Sequence, residues 1–464
     1  MLSIRKVFVC SLCITGLFWL LAPQSMAQPF TVLHNFAGSE GAEPRSRLVV
    51  AGNTLYGTTR AGGLGYGTVF SIKTDGTGFT NLYNFNYSSN SGFSGFPITG
   101  LVSSGNKLYG TAMDLGTGNK GTVFSINTDG TDFTLLYNFT NAFDGEDPEG
   151  ELVLSGDTLY GTTVDGGLGF GNIFALKTDG TGFTNLHSFA YSEGAYPKAG
   201  LLLAGGRLYG TTSEGGASTV GTMFSIATDG TGFTNLHHFS GAYIYGNRPY
   251  AGLILSGSIL YGTASFGGTS SFGTVFGIHT NGTGFTNLHN FASSDGASPL
   301  AELFLVNDIL FGTTSSGGST FGFQGGTLFS VKTNGTSFQS LYHFASWPGP
   351  SGSLTNSGGA HTQSGLVLSG NTLYGTAPVG GSLGKGTIFG LSLPSAPQLT
   401  LIRSGGNVVL TWPTNSAGLT LQSTTNLTSP ANWSSNPPSP VVVNGKNTVT
   451  NAIVGSQKFY RLSQ

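Results

Sequence analysis

Residues 152–189 read LVLSGDTLYGTTVDGGLGFGNIFALKTDGTGFTNLHSF and contain four short apolar or β-branched runs separated by turns. A Gly-rich loop joins the second run to the third, and Asp179 with Gly180 joins the third to the fourth. Asp-Gly is typical of a type I′ hairpin, which needs positive φ angles in its turn. Nothing in the stretch has a helical period, so it predicts a meander of four antiparallel strands.

This unit is repeated along the chain. Its tetrapeptide Leu-Tyr-Gly-Thr occurs seven times at spacings of about 50 residues, with Phe311 replacing the tyrosine in the sixth copy. The six tyrosines are Tyr56, Tyr109, Tyr160, Tyr209, Tyr261 and Tyr374. A fixed period of this length indicates a stacked or circular array of one supersecondary unit, because each sheet must bury both faces against its neighbours.

The two ends of the array complement each other. The chain begins with an isolated fourth strand, residues 30–36, and the array ends with a third strand, residues 386–393, that has no fourth strand after it. An open array would need polar capping repeats, and none is evident. We therefore expect an all-β fold, a seven-bladed β-propeller closed by the N-terminal strand and followed by a small β-sandwich. An open array or another β architecture is the alternative.

Two segments of the first repeat carry a family resemblance. Residues 56–63, YGTTRAGG, resemble the kelch propeller repeat in layout, and residues 67–79, GTVFSIKTDGTGF, are more closely similar to the GloVer-type tandem repeat of bacterial secreted proteins. The resemblance covers roughly residues 30–393, and replacements such as Asn281 and Asn334 for Asp keep the turn chemistry. It implies export and varied C-terminal attachments, but no known reaction, and it therefore assigns no site residues.

The two termini predict a signal peptide and an added domain. Residues 1–27 combine Arg5 and Lys6, an apolar run and a small-residue cleavage site, which predicts a signal peptide. The chain from residue 28 has no cysteine, so disulfides and thiolate chemistry are excluded. The repeat stops near residue 394, and residues 395–464 predict a β-sandwich that resembles fibronectin-III-like tail domains of bacterial surface proteins, with Trp412 and Trp433 in its core.

Charge and composition limit the partners that we expect. Residues 28–394 hold twenty acidic and twelve basic groups, a net charge of −8, which disfavours nonspecific binding to nucleic acid. With the signal peptide cleaved, we expect no transmembrane segment, a secreted or cell-surface location and a monomer.

Several motifs superficially suggest metal or phosphate sites. The Asp-Gly turns offer one carboxylate each, too few for calcium, and the Gly-rich loops open no helix that would bind phosphate. His34, His187, His237 and His289 share one position with tyrosines of other repeats, which indicates packing. The sequence therefore predicts no metal and no cofactor.

The loops that precede each first strand are the candidate binding surface. They share one face with the loops between second and third strands, whereas the other face has only tight turns, and loops on a rigid scaffold commonly carry function. The candidate ligand-binding residues are Asp144, Asp147, Tyr191, Tyr196, Tyr243, Tyr245, Arg248 and Trp347.

Aromatic rings beside carboxylates suit sugar rings, and the function that we expect is a secreted or cell-surface binding or adhesion module that recognises glycan or a surface polymer. Two alternatives remain: a polysaccharide-active propeller enzyme using loop carboxylates such as Asp144 and Asp147, and a structural envelope or matrix component. Ordinary solvated loop ends would also give this composition. No catalytic set is identifiable, so we expect no enzymatic activity and assign no catalytic residue.

Overall fold

The computed structural model describes residues 29–86, 93–116, 118–140, 143–240, 246–318, 325–345, 355–394, 399–414, 420–425, 433–435, 438–453 and 458–463. The predicted signal peptide, residues 1–27, lies outside them, as do Tyr243, Tyr245 and Trp347. Residues 28–393 form one compact unit, and residues 394–464 belong to another. In the part of the chain that is described, no helix is long and apolar enough to cross a membrane.

Within the described part of residues 29–393, the strands assemble into seven antiparallel sheets, each built on a four-strand meander. The first strands are Val49–Ala51, Val102–Ser104, Val153–Ser155, Leu202–Ala204, Ile254–Ser256, Phe304–Val306 and Val367–Ser369. The second strands are Thr54–Thr59, Lys107–Leu115, Thr158–Thr163, Arg207–Thr212, Ile259–Ala264, Ile309–Thr314 and Thr372–Ala377. We number the repeats one to seven in this order.

The third strands are Thr68–Lys73, Thr122–Asn127, Asn172–Lys177, Thr222–Ala227, Thr274–His279, Thr327–Lys332 and Thr387–Ser392. The fourth strands of repeats one to six are Thr80–Asn84, Thr134–Asn138, Thr184–Ser188, Thr234–His238, Thr286–Asn290 and Gln339–His343. In repeat seven the fourth position is taken by Phe30–Asn35, which pairs antiparallel with Thr387–Ser392. Three short strands, Phe93–Phe96, Gly246–Asn247 and Phe266–Gly267, complete this unit. The prediction of an all-β chain of four-stranded antiparallel repeats is confirmed.

The Tyr-Gly-Thr motif has a packing reason. In the third repeat Gly161 pairs with Phe174 across the sheet, and a Cβ atom on Gly161 would lie 2.5 Å from the Phe174 ring and 2.8 Å from Leu152. Only glycine leaves room for that ring, which is fully buried. The same glycine–phenylalanine pairing occurs in every repeat, so the motif marks where the core of each sheet is filled.

The Asp-Gly turns differ from the predicted type I′ hairpin. Gly180 adopts a left-handed conformation (φ 84°), whereas Asp179 does not. The Asp179 carboxylate instead accepts hydrogen bonds from the backbone N–H and the hydroxyl of Thr181, at 2.9 and 2.7 Å. These bonds hold the pKa of Asp179 below its usual value. The aspartate therefore closes its own turn, which explains the Asp-Gly-Thr sequence.

Neighbouring repeats are joined by stacked rings. A histidine or tyrosine of one fourth strand lies parallel to a phenylalanine of the next repeat, with ring centroids 3.6–4.1 Å apart. The pairs are His34 with Phe79, Tyr83 with Phe133, Tyr137 with Phe183, His187 with Phe233, His237 with Phe285, His289 with Phe338 and Tyr342 with Phe30. Burial lowers the pKa of His237, to about 4, so the stacked ring is neutral at pH 7.

A second link between repeats is a buried threonine hydroxyl. The threonine after the Tyr-Gly or Phe-Gly pair donates to a backbone carbonyl that precedes the first strand of the following repeat. The bonds run from Thr58 to Thr99, Thr111 to Pro148, Thr162 to Ala199, Thr211 to Ala251, Thr263 to Ala301, Thr313 to Ser364 and Thr376 to Ser46. The last bond, 3.1 Å long, joins repeat seven to repeat one.

The C-terminal unit has its own core. One sheet orders Thr400–Ser404, Asn407–Pro413, Lys446–Ala452 and Val441–Val443, and a second pairs Thr420–Thr424 with Phe459–Ser463. Trp412 is buried between residues of both sheets, including Leu421, Val449 and Tyr460. Trp433, which we expected in the core, is only half-buried. The Arg461 guanidinium lies over its indole ring, 4.4 Å from the ring centroid.

We expect Thr376→Val to lower the free energy of unfolding by about 1 kcal/mol, because the buried Ser46 carbonyl loses the partner that links repeats seven and one. Urea denaturation of the variant and the parent protein measures the change. The control is Thr80→Val, whose hydroxyl bonds Gly78 in an exposed turn where water replaces it. Equal stability of Thr376→Val and the parent would contradict a stabilising role for this bond.

Candidate functional site: a cavity of mixed polarity between the repeats

A cavity of about 610 Å³ opens among residues that lie just before the first strands. Its lining takes one residue from each repeat at a single position, immediately after the proline of the preceding loop. These residues are Arg45, Ile98, Glu149, Lys198, Tyr250, Leu300 and, after Thr362 instead of proline, Gln363. Arg60 and Met113 complete the lining. The lining therefore combines charged, amide, aromatic and aliphatic side chains. We call the seven equivalent residues, from Arg45 to Gln363, the cavity wall.

The backbone beside each wall residue is held in an unusual conformation. In six repeats the residue two positions before the wall has a left-handed φ between 52° and 59°, namely Glu43, Asp147, Tyr196, Arg248, Ser298 and His361. The N–H of each donates to a carbonyl of the preceding repeat, as in Asp147 to Lys120 at 3.0 Å and Arg248 to Val220 at 2.9 Å. Glu43 bonds Lys385 in the same way. Neighbouring sheets thus fix the wall residues.

One side of the cavity is cationic. Arg45 and Arg60 each donate to the same oxygen of Glu43, both at 3.0 Å. Burial opposes ionisation of Glu43, but the hydrogen bond from Arg60 and the charges of both arginines hold its pKa below the usual value. Two guanidinium groups therefore share one carboxylate, which leaves a surplus of one positive charge on this side of the cavity.

The acidic side chains near the cavity are concentrated in the third repeat. Glu149 of the cavity wall forms an ion pair with Lys198 at 3.3 Å, and Glu146 forms one with Lys120. Burial, reinforced by the charges of Asp114, Asp165, Glu149 and Glu146, raises the pKa of Asp147 to about 6. Asp147 is therefore a carboxyl group that holds its proton in mildly acidic solution.

A second set of equivalent residues lies two positions further along the chain than each wall residue. In repeats one, three and six these residues are Arg47, Glu151 and Glu302, which we call the axial triad. Repeats two, four, five and seven contribute Gly100, Gly200, Gly252 and Gly365. A Cβ atom on Gly100 would lie 2.5 Å from a Glu151 carboxylate oxygen, so the glycines make room for the charged side chains.

The axial triad is a partly hydrated ion cluster. Arg47 donates twice to Glu151, at 3.2 and 2.6 Å, and lies 3.9 Å from Glu302. About a third of the Arg47 side chain is still reached by water. The charges of the two glutamates raise the pKa of Arg47 above its usual value. Burial and the charge of Glu151 raise the pKa of Glu302, although the charge of Arg47 opposes this shift. One arginine thus faces two carboxylates and compensates their charge only in part.

The predicted binding residues fall in different places. Asp144 is buried, and its carboxylate accepts hydrogen bonds from the Tyr137 hydroxyl and from Thr140, so it stabilises the loop. In the corresponding loops of other repeats, the carboxylates of Glu40, Glu193 and Asp295 likewise accept a hydrogen bond from a backbone N–H three residues earlier.

Asp147, Tyr196 and Arg248 share the left-handed position beside the cavity wall. The Arg248 guanidinium also lies 5.7 Å from the Phe266 ring centroid. Tyr191 is exposed, with its ring 5.2 Å from that of Phe170.

Sequence reasoning missed the cavity wall itself. The residues after the loop prolines differ in kind, from Arg45 to Leu300, so no motif marked them. The signal was their fixed place in the repeat, directly after a proline in six of the seven copies. Among the described residues no group of three or more His, Cys, Asp or Glu side chains has the arrangement of a metal site.

The repeated sheets and the shared cavity define a tandem-repeat protein with a β-propeller-like fold. The chain belongs to the Gloeobacter/Verrucomicrobia repeat family, whose model matches residues 20–167, 65–254, 169–389 and 243–427. No curated protein sequence matches it.

Similar solved structures include an oligogalacturonate lyase from Vibrio parahaemolyticus, 10% identical, with a TM-score of 0.51 over 80% of this chain and 95% of that chain. An oligogalacturonate lyase in complex with manganese is 11% identical, with a TM-score of 0.49 over 80% and 94%. A nidogen/laminin complex is 14% identical, with a TM-score of 0.39 over 63% and 92%.

This similarity corrects one expectation. The sequence led us to expect no enzymatic activity, and that expectation is wrong as an exclusion, because a solved structure with this fold is an oligogalacturonate lyase. At 10% identity the likeness shows the fold and leaves the reaction open.

We expect Arg47→Met to lower the free energy of unfolding at pH 7 by about 2 kcal/mol, because Glu151 and Glu302 then face each other without a cation. Burial already raises the pKa of Glu302 above 4.5, and loss of the Arg47 charge raises it further, so the loss of stability shrinks as the pH falls towards 4.5 and Glu302 takes up a proton. Urea denaturation at both pH values measures this.

The triple variant Arg47→Met/Glu151→Gln/Glu302→Gln is the matched control and should recover most of the stability at pH 7. A loss for Arg47→Met that is independent of pH would show that its packing, and not its charge, is what matters.

Proposed function

We propose that residues 29–393 form a closed seven-bladed propeller that is exported from the cell by the signal peptide at residues 1–27. Closure is supported by three contacts between the two ends of the array. Phe30–Asn35 completes the seventh sheet, Thr376 bonds Ser46, and Phe30 stacks on Tyr342 at 3.8 Å. A closed ring leaves no unpaired terminal sheet, which agrees with the lack of capping repeats in the sequence.

We further propose that the protein binds a glycan in the central cavity, as a secreted or cell-surface recognition module. The observation that carries this proposal is the cavity wall, where seven repeats present side chains at one position. The volume of about 610 Å³ lies within the range of roughly 300–1,000 Å³ for small-molecule sites. The C-terminal unit, which we propose to be a fibronectin-III-like attachment domain, would then hold this module at a surface.

The chemistry of the cavity wall supports a sugar. Tyr250 offers an aromatic face for the C–H groups of a pyranose ring, and Leu300 and Ile98 add apolar surface. Gln363, Lys198 and Glu149 supply donors and acceptors for hydroxyl groups. Because neighbouring sheets fix the backbone before six of the seven wall residues, little backbone ordering entropy is lost on binding.

We expect Tyr250→Ala to weaken glycan binding about five- to tenfold, because the ligand loses its aromatic contact. The measurement is a dissociation constant on an array of oligosaccharides from cellulose, xylan, galactan, pectin and alginate. Tyr250→Phe, which keeps the ring, should bind like the parent protein. The matched control is Leu168→Ala, an exposed side chain outside the cavity wall.

If Tyr250→Ala and Leu168→Ala bind equally well, the ligand lies outside the cavity. Absence of binding to every glycan would contradict the recognition module and favour the structural envelope or matrix role.

A second candidate function is cleavage of the bound glycan by a loop carboxyl group. The observation that favours it is Asp147, since a carboxyl group with a pKa of about 6 beside a ligand cavity is suited to proton transfer. It flanks Glu149 of the cavity wall, so two carboxyl groups are available in one repeat.

If Asp147 acts as a general acid, turnover should fall as the pH rises through about 6, where Asp147 loses its proton. We expect Asp147→Asn to lower turnover at pH 5 at least a hundredfold and to leave binding unchanged. Release of new reducing ends measures turnover. The control is Asp75→Asn in an exposed Asp-Gly turn. Product release that survives Asp147→Asn would rule this residue out.

A further inference from the structure

We propose that the ligand of the cavity is an oligosaccharide that carries a single uronic acid, with its carboxylate bound by Arg45 and Arg60. This inference rests on the proposed glycan site and specifies its ligand class. It follows from the uneven distribution of charge around the cavity.

The arginine pair has unused hydrogen-bonding capacity. Each guanidinium group has five N–H donors, and the pair shares one oxygen of Glu43. Nε of Arg45 is buried without a hydrogen-bond partner among the described residues, so bonds to a ligand would come from the terminal nitrogens of the two guanidinium groups. Both side chains are partly open to water, 35% for Arg45 and 41% for Arg60, and both line the cavity. A ligand anion can therefore reach this pair.

The remaining cation on the cavity wall is already compensated. Lys198 pairs with Glu149 of the neighbouring repeat at 3.3 Å. The unbalanced positive charge of the lining therefore lies at Arg45 and Arg60, in repeat one. A planar carboxylate matches the fork geometry of a guanidinium group, which makes it a better partner here than a neutral hydroxyl.

The negative charge of repeat three limits the ligand to one carboxylate. Glu146, Asp147, Glu149 and Asp165 lie in this repeat, and Asp114 of repeat two adds its charge to that of the cluster. Nearby Lys120 and Lys198 compensate only part of this negative charge. A second carboxylate on that side would be repelled, whereas neutral hydroxyls would find acceptors. The ligand should therefore be acidic at one end and neutral at the other.

The test uses three soluble probes and the purified chain from residue 28 onward. The probes are xylotetraose carrying one glucuronic acid, the same compound with its carboxyl group reduced to an alcohol, and polygalacturonate. Titration calorimetry at 150 mM NaCl limits nonspecific charge effects. We expect the acidic tetraose to bind at least tenfold more tightly than its reduced form, and polygalacturonate to bind more weakly.

Two variants locate the interaction. Arg45→Gln and Arg60→Gln should each remove most of the preference for the acidic tetraose, and Arg60→Lys should restore only part of it because the fork geometry is lost. The control is Lys73→Gln, which removes a charge from an exposed strand end of the same repeat. Comparing acidic and reduced probes on the parent protein requires no variant, so a misfolded variant does not obscure the answer.

Each other outcome has a defined meaning. Equal affinity for the acidic and reduced tetraose, or a preference that survives both arginine variants, overturns the uronic acid inference and leaves the glycan site standing. Tighter binding of polygalacturonate overturns the limit to one carboxylate. Failure of these three probes while other glycans bind refutes the ligand class alone, and failure of all glycans refutes the proposed function itself.

Discussion

The structure depends on a side chain of one repeat satisfying a backbone carbonyl of the next. In each second strand, the threonine after the Tyr-Gly or Phe-Gly pair donates to the segment that leads into the following first strand, and that segment carries the cavity wall. The bond therefore does two things at once: it joins two sheets, and it fixes the backbone from which a wall side chain projects. Stacked rings such as His187 on Phe233 add apolar area to the same junction. Fold and site are built from a single set of contacts.

The fold could be predicted because its signals are local and repeated. Gly161 and the Phe174 ring each occupy one fixed position in seven copies, and the Asp179 turn recurs in six, with Asn281 and Asn334 replacing the aspartate in two, which removed the ambiguity of any one copy. The site was predicted only in part. Asp147, Tyr196 and Arg248 lie beside the cavity wall. Composition alone could not distinguish them from Asp144, whose carboxylate accepts hydrogen bonds from neighbouring residues of its own repeat. Burial and hydrogen bonding decide between these carboxylates, and neither is visible in a sequence.

The axial triad and the cavity wall treat charge in different ways. Arg47, Glu151 and Glu302 contact one another across three repeats, so one guanidinium group partly compensates two carboxylates, with four glycines giving them space. Arg45 and Arg60 share the single carboxylate of Glu43, and both line the cavity. Ion pairs within the axial triad orient side chains of three repeats towards one another, whereas the arginine pair that lines the cavity is within reach of a ligand.

The left-handed residues before the loop prolines also bear on how such a protein can diversify. Because hydrogen bonds from those residues fix the backbone in six repeats, the wall residue two positions later is not needed for those bonds, and Arg45, Tyr250 and Leu300 occupy equivalent places. Most wall positions can then change by point substitution alone, whereas Glu149 and Lys198 form an ion pair and would change together. An array assembled from copies of one unit thereby gains an asymmetric surface, and duplication of the unit multiplies the sets of side chains that one scaffold can present.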